Sequence, residues 1–263
     1  MAFKLPAIPK ITHHSNNYAF LNAKGVKQIQ WSELHVNNVI GRGQFGEVSR
    51  ITYQGKELVS KQLLSQDEED RRSFLKESLI MKDLNHPNIL ALKGVCVEKC
   101  AILSEYMSFD FHLFGKDEHA YSLEDFWHYI HRQNIVSSFD FAEIISSQMG
   151  NALHYMHRNN VAHRDLKTAN VLVTNQHYAS ITDQSALQAV YAKQPIITKL
   201  ADFGESRSKS GPPKRRWIWP KFRMRHLFRQ SNKFKLGTEK NRHFWKKRGH
   251  QMHPNWHRPY EFY

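Results

Sequence analysis

From Val39 onward the apolar and polar positions read as paired strands. Val48, Ile51 and Tyr53 precede a turn at Gln54-Gly55, and Leu58 to Leu64 follow it, which predicts a hairpin. The period then becomes helical. Ser65-Gln66-Asp67-Glu68 reads as a capping box with Ser65 as the cap. Behind it Phe74, Ser78 and Met81 fall on one face with Leu75 and Leu79 beside them, until Asn85-His86-Pro87 stops the helix. Short strand-like runs follow near Ile89–Val97 and Ala101–Tyr106. A second cap at Ser122 to Asp125 opens a helix with Leu123, Phe126, Trp127 and Ile130 at helical spacing. A third helix starts around Asp140 and Glu143, carries the stripe Ile145, Met149, Leu153 and Met156, and ends at Asn159-Asn160. Strands at Val171–Val173 and Ile196–Leu200 flank an insert, Thr174–Pro195, in which a short helix is expected around Gln184–Tyr191. Residues 1–30 show no strong period and read as a loose leader. A β-rich half with one helix, then a helical half, is α+β rather than alternating βαβ.

The chain has 263 residues, 40% of them apolar, enough for one large domain or two small ones. No apolar run approaches the ~20 residues that span a bilayer, and MAFKLPAIPK lacks the apolar stretch of a secretory signal. Cys96 and Cys100 are expected as buried free thiols, with no disulfide partner and no metal. A soluble, cytoplasmic protein is the expectation. The net charge of +14 is not evenly spread. Residues 1–205 carry a net charge of −1, whereas residues 206–263 hold 17 basic and 2 acidic residues and four of the six tryptophans. This break in composition marks a boundary near Glu205.

Gly41-Arg42-Gly43-Gln44-Phe45-Gly46-Glu47-Val48 has the pattern G-x-G-x-x-G-x-V. A dinucleotide site would need a helix after the glycines and an acid about 20 residues on; here a hairpin follows and Lys61 stands at that distance. A Walker loop would need Gly-Lys-Ser/Thr after the last glycine, and Glu47 is there instead. What remains is a plain hairpin or a glycine hairpin lying over nucleotide phosphates. Further on, His163-Arg164-Asp165-Leu166-Lys167-Thr168-Ala169-Asn170 is followed by Asp202-Phe203-Gly204. Taken singly, Lys61 and Glu77 could be a surface ion pair, Asp165 and Asp202 turn-capping acids, and His163 a core histidine.

Together, and in this order, the glycine loop, Lys61, Glu77, HRDLKTAN and DFG resemble a protein kinase over Val39 to Glu205. The resemblance implies a bilobal kinase fold: a β-rich N-lobe at 31–107 and a helical C-lobe, incomplete, at 108–205. It implies ATP and Mg²⁺ as cofactors and a protein as substrate. Lys61 would hold the α- and β-phosphates and Glu77 would keep it extended. Asn170 and Asp202 would bind Mg²⁺, Asp165 would accept the proton of the attacking hydroxyl, and Lys167 would steady the transferring group. Gly41, Gly43 and Gly46 would cover the phosphates. Ile40, Val48, Val59 and Leu172 would sandwich the adenine, with Ser104 as gatekeeper and Glu105 to Met107 as hinge. Lys167, two residues after Asp165, resembles the Ser/Thr-specific members, and the chain looks most similar to the tyrosine-kinase-like group of Ser/Thr kinases. Arg164 implies pairing with a phosphate on the activation segment, for which Ser206, Ser208 and Ser210 are candidate acceptors.

The sequence departs from that family after Gly204, where neither Ala-Pro-Glu nor the remaining C-lobe helices follow. One reading is a truncated chain with translated sequence past a break, either an impaired kinase or a scaffold. The other is a true basic-aromatic tail. Lys214-Arg215-Arg216-Trp217 and Lys246-Lys247-Arg248 would then bind phosphates of nucleic acid or an anionic membrane, with Trp217, Trp219 and Trp245 stacking or inserting.

Overall fold

A computed structural model describes residues 19–43, 46–65, 67–133 and 138–208. The basic-aromatic motifs of the tail and the glycine-loop tip at Gln44 and Phe45 lie outside the described residues. Five antiparallel strands make the N-lobe sheet: β1 (His35–Gly43), β2 (Gly46–Tyr53), β3 (Lys56–Gln62), β4 (Leu92–Cys96) and β5 (Ala101–Glu105), in the order β1-β2-β3-β5-β4. The β2–β3 turn is the expected Gln54-Gly55, with φ of 49° and 74°; two positive φ values match the twist that a two-residue hairpin needs.

Helix α2 (Glu68–Asp83) buries Phe74, Leu75, Ser78, Leu79 and Met81, the face that the period predicts. Its cap is Asp67 rather than Ser65. The Asp67 carboxylate accepts the Asp70 amide at 2.9 Å, and Ser65 Oγ instead hydrogen-bonds to Asp67. A carboxylate at that place, with Glu68, Glu69 and Asp70 after it, also complements the helix dipole. The expected loose leader is packed from residue 19 onward: α1 (Ala19–Ala23) buries Leu21, and the chain after it buries Val26 and Ile29.

In the C-lobe a small hairpin, β6 (Phe109–Asp110) and β7 (His119–Ala120), leads to α3 (Leu123–Arg132). Ser122 and Asp125 cap that helix reciprocally. Helix α4 (Ser138–Arg158) buries Ile145, Met149, Leu153 and Met156, as its stripe predicts. Four short strands follow: β8 (Val161–Ala162), β9 (Val171–Thr174), β10 (Ile197–Leu200) and β11 (Arg207–Ser208), pairing β9 with β10 and β8 with β11. Buried Gln148 of α4 donates to Ile196 O at 2.9 Å and accepts from the Thr198 amide and hydroxyl at 2.6 and 2.7 Å, which fixes β10 on the helix. Among the described residues no helix is long and apolar enough to cross a membrane. Cys96 and Cys100 are buried and unbridged.

The insert Thr174–Pro195 folds against the β6–β7 hairpin. Helices α5 (Gln176–Ala179) and α6 (Gln184–Lys193) occupy the insert, and Asn175 ties it to β6. The Asn175 amide accepts from Asp110 N and donates to Asp110 O, both at 2.8 Å, with no exposed surface. Asn175→Ala is expected to cost about 1–3 kcal/mol by leaving these backbone groups unpaired, measured as a lower denaturant midpoint at unchanged slope.

Candidate active site

The pleat puts Val59 and Lys61 of β3 on one face, and Val48 stands opposite Lys61 in β2. Helix α2 brings Glu77 to that face. Lys61 Nζ lies 3.1 and 3.2 Å from the two Glu77 oxygens and 2.8 Å from Asp202 Oδ1. The Glu77 side chain is 6% exposed, so this is no surface ion pair. Burial pushes the Lys61 pKa down, but Glu77 and then Asp202 outweigh it, and the net shift is upward. Burial likewise opposes ionisation of Asp202, and the Lys61 ammonium overrides it and holds the carboxyl below its ordinary range.

Asp202 follows β10 with φ of 63°. Two consecutive residues of α2 grip the loop it begins. Glu77 Oε1 accepts the Phe203 amide at 3.3 Å, and Lys76 Nζ donates to Gly204 O at 2.7 Å. Lys76 is not singled out by the sequence; its position next to Glu77 is the only signal. Burial and then Arg207 lower its pKa. Phe203 has no exposed surface and its ring meets His163 edge-on at 5.3 Å. His163 is buried and donates from Nε2 to Ala201 O at 2.9 Å.

A second cluster forms on the loop after β8. Asp165 Oδ2 accepts from Lys167 Nζ at 2.7 Å and from Asn170 Nδ2 at 2.9 Å, and the same Asn170 amide donates to Asp165 O at 2.8 Å. The hydrogen bond from Lys167 is the main reason that the Asp165 pKa lies below its usual value, and Asn170 adds to it. The two clusters are joined through the backbone, because Ala201 N donates to Asn170 O at 2.9 Å.

Ile40, Val48, Val59 and Leu172 are all half-buried, although Ser49, Ser60, Val171 and Val173 beside them are buried. Ser104 is buried opposite Val59, and Met107 is also buried. The Glu105 carboxylate is already engaged by Lys199 Nζ at 2.7 Å and Ala91 N at 2.8 Å. Any contact of Glu105 with a nucleotide therefore falls to its backbone. The glycines differ in kind. A Cβ at Gly41 or Gly43 would meet nothing within 4 Å, whereas one at Gly46 would collide with the Gln62 carbonyl. Gly46 is thus demanded by the close approach of β3.

The donor set fits ATP and Mg²⁺. Asn170 directs its nitrogen to Asp165, which leaves its Oδ1 as a hard oxygen donor, and the Asp202 carboxylate is a second donor of that kind. Open space at Gly41 and Gly43 lets phosphates approach the backbone.

The protein kinase domain family matches residues 34–221, more than half of the chain. The chain belongs to the protein kinase family. It is similar to the serine/threonine-protein kinase CTR1 of Arabidopsis thaliana, at 29% identity over 200 residues, 73% of this chain and 21% of that protein. It is also similar to the tyrosine-protein kinase transforming protein Abl of Abelson murine leukemia virus, at 27% over 187 residues, 70% of this chain and 21% of that one. Human tyrosine-protein kinase ABL2 matches at 27%, with 13% of its length covered. The chain therefore spans about a fifth or less of these kinases. Its kinase match runs past the composition break at Glu205.

Proposed function

We propose that this kinase binds Mg-ATP in the cleft beneath β1 to β3 and transfers the γ-phosphoryl group to a serine or threonine hydroxyl of a cytoplasmic protein. The observation that carries the reading is the meeting of Lys61 with Glu77 and with Asp202, 141 residues away along the chain. Three groups so far apart in sequence, partly desolvated and mutually paired, are what phosphate positioning requires. Mg-ATP, when bound, supplies the phosphoryl donor and the divalent charge that spreads over it. Lys61 holds the α- and β-phosphates, with Glu77 keeping the ammonium in place. Asn170 and Asp202 would hold the Mg²⁺. Ionised Asp165 orients the substrate hydroxyl and takes its proton as the new O–P bond forms and the bond to the departing ADP oxygen breaks. Lys167, hydrogen-bonded to Asp165, steadies charge on the transferring group. Its place two residues after Asp165 supports serine or threonine over tyrosine.

The test is transfer of labelled γ-phosphate from ATP to a degenerate peptide library. Phosphoserine and phosphothreonine are expected, with transfer abolished by chelation of Mg²⁺. Phosphotyrosine as the main product would overturn the specificity. Failure of Mg-ATP to raise the melting temperature would overturn the nucleotide site.

A further inference from the structure

The kinase-domain match begins at residue 34, yet the fifteen residues before it are built into the N-lobe. Helix α1 ends in a turn where the Val26 amide reaches Leu21 O at 2.9 Å and the Gly25 amide reaches Asn22 O at 2.8 Å, with Gly25 at φ 73°. This is a Schellman closure, which needs glycine at that position. The chain then runs along the outer edge of β4. Val95 N donates to Lys27 O and Ile29 N donates to Val95 O, both at 2.9 Å. Gly94 makes room for it: a Cβ there would lie 2.8 Å from Ile29 Cδ1 and 3.0 Å from Lys27 O.

The segment straddles the sheet edge. Ile29 joins the small core on one face with Ile51, Tyr53, Leu58 and Leu103, while Leu21 and Val26 join the main core that holds Phe74, Leu75 and Leu79 of α2. Gly25 and Val26 also share a cavity wall with Met81, Lys82 and Leu84 at the end of α2. One short stretch thus touches the edge strand, both cores and the helix that carries Glu77 and Lys76.

We propose that residues 19–33 are an intramolecular seat for α2: they hold the helix where Glu77 reaches Lys61 and Lys76 reaches Gly204, and so set the competence of the nucleotide site. The binding mode is strand addition to the β4 edge plus two apolar anchors, Leu21 and Val26. Its nucleotide readout rests on the Mg-ATP assignment above; its second readout does not.

The experiment compares the full chain with Leu21→Asp/Val26→Asp and with the milder Val26→Ala. Amide hydrogen exchange and affinity for a fluorescent ATP analogue with Mg²⁺ are measured on each. The double variant is expected to exchange faster across residues 68–83 while residues 141–158 keep their protection, and to bind nucleotide about tenfold more weakly, as when only a tenth of the molecules are competent. Val26→Ala should shift both in the same direction by less. A synthetic peptide of residues 19–34 added to the double variant should restore both. Unchanged exchange in α2 for both variants overturns the seat. If the double variant loses protection throughout, Val26→Ala decides, and unaltered α2 exchange in it overturns the proposal. If the wild-type chain binds no nucleotide, the Mg-ATP reading fails and the exchange data alone decide the seat.

Discussion

Asp165→Asn is expected to lower phosphoryl transfer by about 10²–10⁴-fold, the usual worth of a positioned general base, with Mg-ATP affinity essentially unchanged. The substitution keeps the shape and a carbonyl-type oxygen that can still accept from Lys167 and Asn170, which now hold Oδ2 at 2.7 and 2.9 Å. It removes only the capacity to take a proton. The carboxylate is held below its ordinary pKa, first by the Lys167 hydrogen bond, so it is the ionised acceptor throughout the neutral range. The acid limb of the wild-type pH–rate profile should accordingly lie below the usual aspartate value. Steady-state turnover with a titrated nucleotide analogue separates the two quantities. Turnover that survives the substitution would remove Asp165 from the reaction, whereas lost nucleotide affinity would make it a ligand of the cofactor.

What could be read from the residues alone was whatever depends on short range or on coincidence of motifs. The Gln54-Gly55 hairpin, the faces of α2, α3 and α4, and the helix within the insert Thr174–Pro195 follow from turn chemistry and from period. Glycine loop, Lys61, Glu77, HRDLKTAN and DFG identify the family because their order is improbable by chance. What stayed hidden depends on partners far along the chain. Nothing local shows that Ile29 will pair with Val95, that Lys76 will find the carbonyl of Gly204, 128 residues away, or that Asn175 will hold Asp110. Ser65 and Asp67 both have capping chemistry, and only the start of α2 at Glu68 makes Asp67 its cap. Gly46 belongs to a nucleotide motif, yet its immediate constraint is the Gln62 carbonyl. A glycine can satisfy a motif and a steric demand at once, and the sequence prints both with the same letter.

Lys61→Met is expected to abolish Mg-ATP binding and to destabilise the fold by about 3–5 kcal/mol, the cost of leaving a buried partner uncompensated. Glu77 is the group left behind: its side chain is 6% exposed, and the lost ammonium lies 3.1 Å away. Adding Glu77→Gln to Lys61→Met should recover much of the stability, because the amide oxygen can still accept from Phe203 N. It should recover none of the nucleotide affinity, because no cation returns to the site. This split separates a stability role from a binding role within one cluster. The pH dependence gives an independent check. Asp202 has a folded-state pKa below its unfolded value, so its contribution is present above the unfolded value and disappears as pH falls through the folded one. Lys61 has a raised pKa, so its contribution is complete below the ordinary lysine value and disappears as pH rises through the folded one. The stability gap between wild type and Lys61→Met should therefore be widest near neutrality and narrow on acidification below the ordinary carboxylate range. Denaturant titrations at a series of pH values measure that gap; a gap of constant size from neutral to acid pH would mean that Lys61 stabilises the fold through its alkyl stem and not through its charge.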